Sequence, residues 1–462
     1  MNRTTVYAAA IYLIDAALFF LIALSGLPDL WKLALCLATL GIGGAAMARV
    51  CGWTSYFGIN MIKGEYGFRI MGDFAGKHPK LVRFLADVGA GIGYGMVYSI
   101  FTFNGKGERK KLAFILFFSF LFSLLISTGS LSSPAGLLSD FHSQVLFAAG
   151  VIGGLALQSL VILVFSAINI FTVQNAPAGA QLVIPGVTVP WVWLVGIVIA
   201  VIIHEFAHGV LCKAENLRVL GSGVVLFGFL PIGAFVEPDE KRFKNIAIEK
   251  KRRILAAGPA ANLIAFVFFT VLLLGFAAVA SGAYADASAV QVLSVNSSYP
   301  GTAQLSSGDI ITGVDGQGIT TLSSLETAIT SKDAGDTLVI TTQSGNKKVT
   351  IGPGKKLGIT VTPTSRPGSE LLFGVIGFVI AVLSSTAYLN LAIGAINLVP
   401  LFITDGARIV SDELDDAFVS RFGRKRGSSL AAKVATGLSL VALALILVNL
   451  ALPTVLKLVT GA

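Results

Sequence analysis

Runs of about 20 apolar residues recur along the whole chain of 462 residues, and no other feature constrains its fold as strongly. A run of that length crosses a hydrocarbon core of about 30 Å as a helix. Within lipid every backbone N–H and C=O must be satisfied internally, which leaves helices or closed barrels. The runs predict spans near 6–26, 32–50, 84–103, 112–128, 145–172, 191–212, 254–280, 370–396 and 430–452. The Gly-rich stretch 89–95 also reads as a close-packed or re-entrant helix. Only 13% of the residues are charged, with Gly 51 and Phe 31, where a soluble domain carries about 25%. The run 6–24 reads as a span, because Ser25-Gly26-Leu27-Pro28 is a turn rather than a clear cleavage site.

The formal net charge is +9, and its basic residues sit in the loops. Lipid head groups and the positive-inside rule account for such a pattern, so the bilayer is the expected partner and nucleic acid is not. Loop 51–83 carries Lys63, Arg69, Lys77, Lys80 and Arg83. Loop 241–253 carries Lys241, Arg242, Lys244, Lys250, Lys251, Arg252 and Arg253, and loop 421–433 carries Arg421, Arg424, Lys425, Arg426 and Lys433. The nine spans put all three on one side, predicted to be cytoplasmic. The stretch 106–111 falls on the opposite side, one conflict against three agreements. Cys36, Cys51 and Cys212 have no metal-type spacing, which argues against a disulfide framework or a cysteine zinc site.

Two segments break the helical pattern. Residues 286–364 shorten to apolar runs of strand length between Gly-Asp and Asp-Gly turns, with strands expected at 290–295, 309–314, 337–342 and 348–351 and a helix at 323–331. This is a small soluble α+β domain inserted between two spans. Residues 218–236 are apolar but Gly-rich and contain Pro231, which suits a β-hairpin. Such a hairpin must lie against protein or line a wet cavity.

The chemistry centres on His204-Glu205-Phe206-Ala207-His208, at the end of the apolar run that begins at Trp191. Residues four apart share a helix face, so both imidazoles can bind one ion. Zinc favours such nitrogen ligands and makes water ionise near pH 7. Glu205 is placed to take that proton as general base and pass it to a leaving amine. A carboxylate and two histidines in an apolar span are costly, about 2.5–3.5 kcal/mol for a mid-span charge, so they need partners. A third ligand must come from another apolar segment. Asp405 is the candidate, in Asn397-Leu398-Val399-Pro400-Leu401-Phe402-Ile403-Thr404-Asp405-Gly406, although an ordinary helix end with a capping Asp fits the same residues. Gly258-Pro259-Ala260-Ala261-Asn262 opens another span, and Asn262 fits equally a helix–helix hydrogen bond.

These segments, in this order, resemble the site-2 protease family of intramembrane metalloproteases over about residues 185–410. The resemblance implies zinc on His204, His208 and Asp405, Glu205 as catalytic base, and Asn397 and Asn262 at the substrate backbone or transition state. It implies a multi-pass cell-membrane enzyme with its active site towards the cytoplasm. Its substrates would be single-span or other membrane proteins, often cut first by another protease. The inserted domain resembles a PDZ domain, through Tyr299-Pro300-Gly301, Leu305, Gly308-Asp309-Ile310-Ile311 and Val314-Asp315-Gly316. It is expected on the opposite side, and its usual carboxylate-binding loop is not recognisable. The organisation expected is N-terminal transmembrane helices over 1–175, the first part of the catalytic core over 176–285, the PDZ-like domain over 286–364, and the rest of the core with a final helix over 365–462. The whole is a polytopic α-helical membrane protein with a membrane-associated β-hairpin and an inserted PDZ-like domain. In it the hairpin, from Gly221 to Phe235, is expected to pair with an extended substrate as an added strand, with proline at one of Val224, Val225 or Leu226 expected to slow cleavage. The main alternative is a membrane metal transporter using the same His and Asp residues. It is disfavoured by the absence of an evident internal repeat and by a Glu205 not needed as a ligand. A non-catalytic scaffold is disfavoured by the intact His-Glu-x-x-His.

Overall fold

The computed structural model describes residues 3–27, 29–65, 67–103, 105, 108–128, 141–172, 189–296, 299 and 304–460. Three sequence features lie in part outside the described residues: Pro28 of the turn after the first run, Pro300-Gly301 of the PDZ-like pattern, and Lys106 with Gly107 of the basic stretch. The chain is mostly helical and divides into two units, Met1–Phe268 with Ser385–Ala462, and Phe269–Ser384. Among the described residues nine helices have the length and apolarity to cross a membrane, which fits a polytopic membrane protein.

The elements run α1 (Arg3–Ala23), α2 (Asp29–Cys51), β1 (Thr54–Tyr56), β2 (Ile59–Gly64), α3 (Phe68–Lys77), α4 (Pro79–Thr102), α5 (Arg109–Thr128), α6 (Phe141–Thr172) and α7 (Trp193–Ala214). They continue with β3 (Val219–Phe227), β4 (Leu230–Pro238), α8 (Glu240–Phe243) and α9 (Ile248–Ala287). Then come β5 (Ser288–Val295), β6 (Ile310–Val314), β7 (Gln317–Gly318), α10 (Leu322–Thr330), β8 (Thr337–Thr342), β9 (Gly345–Thr350) and β10 (Ile359–Ser365). The last are α11 (Glu370–Leu398), α12 (Asp405–Phe422) and α13 (Arg424–Thr460).

Two of the long helices do not run straight. α4 breaks at Gly95 (φ 77°, ψ −166°) and α6 at Gly154 (φ 66°, ψ −167°). Such backbone angles are open to glycine and closed to most side chains. At each break the helix folds back. The rings of His142 and Phe165, on either side of the break in α6, are 4.5 Å apart, whereas a straight helix would hold residues that far apart in sequence about 34 Å apart. In α4 the Ser99 hydroxyl reaches the Gly91 carbonyl at 3.5 Å. The Lys111 ammonium bonds Asp87 (2.9 Å) and also lies 5.0 Å over the ring of Phe103. The expectation of single straight spans at 84–103 and 145–172 is therefore corrected: each is a helical hairpin. Of the readings of the Gly-rich stretch, the re-entrant one describes α4. The turning points touch, since a Cβ on Gly95 would sit 2.3 Å from the Gly154 nitrogen.

Ion pairs tie the ends of these helices together. The buried Asp87 carboxylate takes Lys111 from α5 and Arg253 from α9 (2.9 Å each). Glu215, at the end of α7, takes Arg83 (2.8 Å), and Arg252 reaches Glu413 of α12 (3.2 Å). Lys111 thus shares a carboxylate with Arg253 of the 250–253 basic run.

In the same unit β1–β4 form an antiparallel sheet in that order. β3 is paired on both sides, with β2 and with β4. At the β3–β4 turn, Phe229 donates its N–H to buried Asp15 of α1 (3.1 Å) and packs against Phe19. The second unit holds a sheet of order β10-β5-β6-β8-β9, with β7 paired to β6. Its core is built on Val290, Ile311, Leu338, Ile340 and Val349, all fully buried. A capping box of Thr321 and Ser324 starts α10.

Candidate active site

His204 and His208 lie one turn apart on α7, and the turn after α11 brings Asp405 to them. Thr404 shapes that turn: its hydroxyl bonds the Val399 and Leu401 carbonyls (2.7 and 2.8 Å) and accepts the Ala407 N–H (3.2 Å) as N-cap of α12. Because Thr404 caps the helix, the Asp405 carboxylate is left free for other partners. Its Oδ2 lies 3.1 Å from His204 Nε2 and 3.2 Å from His208 Nε2. One ligand atom from each of the three residues falls within 4.8 Å of the others.

The far side of each ring decides what this cluster can hold. His208 Nδ1 lies 2.7 Å from the Ile254 carbonyl, which can only accept. His204 Nδ1 lies 2.6 Å from Asn262 Oδ1. The Asn262 amide nitrogen is spent on the Ala200 carbonyl and on Asn390 Oδ1, both at 2.9 Å, so its oxygen must be the atom facing His204. Each neutral ring therefore carries its proton on Nδ1 and points a bare Nε2 lone pair at Asp405. Three electron-pair donors converge, and a cation relieves their repulsion. Separations of 3.1 and 3.2 Å are close to the edge of about 3.3 Å that a tetrahedron with zinc-type bonds requires. Space is kept open by Gly258: a Cβ there would lie 2.5 Å from both Nε2 atoms. The donor set fits a divalent metal of the zinc class, with ring orientation fixed from behind.

Glu205 sits beside His204 and accepts a hydrogen bond from the Val236 N–H of β4 (3.0 Å). Alternate N–H groups of a strand point to opposite edges. The edge of β4 that carries the Val236 and Ala234 amides thus faces away from β3, and no strand pairs with it among the described residues. Of the expected edge segment Gly221 to Phe235, Val224, Val225 and Leu226 are therefore corrected: they lie on a strand paired on both sides. β3 is internal, and within the hairpin the free edge belongs to β4.

Asn262 is fully buried, with its amide committed as above. Asn397 donates to the Ile393 carbonyl of its own helix (2.9 Å), and among the described residues has no hydrogen bond to His204, His208 or Asp405. Sequence reasoning passed over Asn390 and Tyr94. Asn390 stands seven residues, two helical turns, before Asn397, and an Asn at that spacing in an apolar run was the available signal. Tyr94, at the turning point of α4, donates its hydroxyl to the Leu398 carbonyl (3.2 Å) and so braces the segment that leads to Asp405.

The profile of peptidase family M50 matches residues 192–444, which contain every residue of this cluster. Over 250 residues the chain is 28% identical to an uncharacterised protein of Methanocaldococcus jannaschii, a match taking in 52% of this chain and 63% of that protein. Less than two thirds of that relative's length is therefore covered. The His-His-Asp group is of the type metallopeptidases use, and with more than half of its length matched the chain belongs to peptidase family M50, the site-2 protease family of metallopeptidases.

Proposed function

We propose that this protein is a zinc endopeptidase that hydrolyses peptide bonds of membrane-spanning substrate proteins within or near the bilayer. One observation carries the reading: two Nε2 lone pairs and a carboxylate converge, with Glu205 next in sequence to His204. Zinc held by His204, His208 and Asp405 supplies a Lewis acid that makes water nucleophilic near neutral pH and polarises a peptide carbonyl. Glu205 accepts the proton of the attacking water and delivers it to the leaving nitrogen. Asn397 serves the substrate backbone or the transition state, whereas the committed amide of Asn262 favours holding His204.

A helix hides its peptide bonds, so a membrane-spanning substrate must become extended before it is cut. The outward edge of β4, whose Val236 amide already reaches Glu205, offers main-chain partners to such a strand. The second unit is read as PDZ-like: β10 is an edge strand with α10 beside it, and Gly358 (φ 69°) turns the chain into β10. The protein is read as a multi-pass cell-membrane enzyme with loop 241–253 cytoplasmic and the PDZ-like unit on the other side.

The test is cleavage of a single-span substrate by purified protein, alongside Glu205→Gln. The wild type should cut, and the variant should keep its zinc and lose cleavage. A metal transporter gains no support from the family match, and would move zinc across sealed vesicles without needing Glu205.

A further inference from the structure

Behind His204 a line of buried amides runs into α11. Asn390 Nδ2 donates to the Thr386 carbonyl (2.8 Å), Asn262 Nδ2 donates to Asn390 Oδ1 (2.9 Å), and Asn262 Oδ1 faces His204 Nδ1 (2.6 Å). Thr386, Asn390 and Asn262 are all fully buried, so water does not compete for these bonds. The polarity of the line follows from its far end. A backbone carbonyl can only accept, so Asn390 must turn its nitrogen to Thr386 and its oxygen to Asn262. Asn262 must then turn its nitrogen to Asn390 and its oxygen to His204. The Ala200 carbonyl, taking the second Asn262 proton, enforces the same sense (2.9 Å).

We propose that Asn390 is a positioning residue of the metal site. Through Asn262 it fixes His204 as the Nδ1-protonated tautomer, with Nε2 bare towards the metal. The inference rests on the metal reading above. A flipped Asn262 would present N–H groups to His204 Nδ1, move the ring proton to Nε2 and block the ligand atom. With Asn390 in place, that flip sets two oxygens, Asn262 Oδ1 and Asn390 Oδ1, against each other.

The experiment measures zinc affinity of the full chain in detergent by chelator competition, with visible spectra of the cobalt-substituted protein and the melting temperature of each metal-free form. Asn390→Leu removes the acceptor and should weaken zinc by about tenfold, the lower end for residues that orient a ligand from behind, and alter the cobalt spectrum. Asn390→Asp is the conservative partner. Buried and protonated, its carboxyl donates to Thr386 and accepts from Asn262, so zinc affinity should return to within about threefold of wild type. Native zinc affinity in Asn390→Leu would overturn the proposal. So would equal weakening in both variants that tracks a fall in metal-free melting temperature, because that pattern belongs to packing alone. A wild type that takes up no zinc would overturn the metal reading itself, and the relay with it, before any variant is compared.

Discussion

Gly95 and Gly154 lie back to back, each with a positive φ, at the turning points of two helical hairpins. The pairing removes a conflict in the charge pattern. If α4 and α6 both reverse, two crossings vanish and the side of everything after α6 is unchanged. The stretch before α5 changes side, to join loops 51–83 and 241–253. In a variant lacking Cys36, Cys51 and Cys212, single cysteines at Glu108 and Asn245 should react with an impermeant thiol reagent from the same face of sealed vesicles. A cysteine at Asn346 should react from the other face. Labelling of Glu108→Cys and Asn245→Cys from opposite faces would restore α4 as a crossing helix.

Gly258 tests the metal cluster without touching a ligand. A methyl group there would stand 2.5 Å from both Nε2 atoms, in the space a cation needs. Gly258→Ala should drop bound zinc from about one per chain to almost none and abolish cleavage. Ala257→Ser, one position away, should keep both. Metal analysis of the two purified variants decides the matter, and full zinc occupancy in Gly258→Ala would place the ion elsewhere.

The carboxylates of α12 separate by position. Asp405 faces the two rings, while Asp412 faces Lys251 at 3.7 Å. Asp405→Ala should lose zinc and activity, whereas Asp412→Ala and Asp415→Ala should retain both. Loss of a surface ion pair costs about 1 kcal/mol or less, too little to empty a metal site. Normal cleavage by Asp405→Ala would send the search to another ligand.

Much of this arrangement was legible in the sequence because its signals are local. The i, i+4 spacing of His204 and His208 needs only a helix, and runs of span length need only counting. Asp405 was visible as a carboxylate in an apolar segment, but its freedom from capping depends on Thr404, one residue earlier. The reversal of α4 and α6 was harder to see. Gly-rich apolar helices cross membranes as readily as they turn back, and only the meeting of Gly95 with Gly154, far apart in sequence, distinguishes the two. Strand order was hidden for the same reason. Nothing in 218–236 tells that β2, over 150 residues earlier, covers β3 and leaves β4 at the edge.

That edge yields the last prediction. The Val236 amide points away from β3 and reaches Glu205, so the Ala234 amide, two residues back, shares its direction. Proline has no N–H and is tolerated on an edge strand where that group faces outward. Ala234→Pro should therefore leave the sheet and zinc intact, yet slow cleavage by roughly tenfold, the scale of one or two lost main-chain hydrogen bonds. Ala234→Ser keeps the donor and should cut near the wild-type rate. Phe235→Pro is the opposite case. Its N–H points to β3 across the pair with Gly223, so it should lower the melting temperature. Cleavage rate, bound zinc and melting temperature are measured for all three. Wild-type cutting by Ala234→Pro with zinc in place would show that the substrate does not pair with β4. The sheet would then act only as a wall beside Glu205.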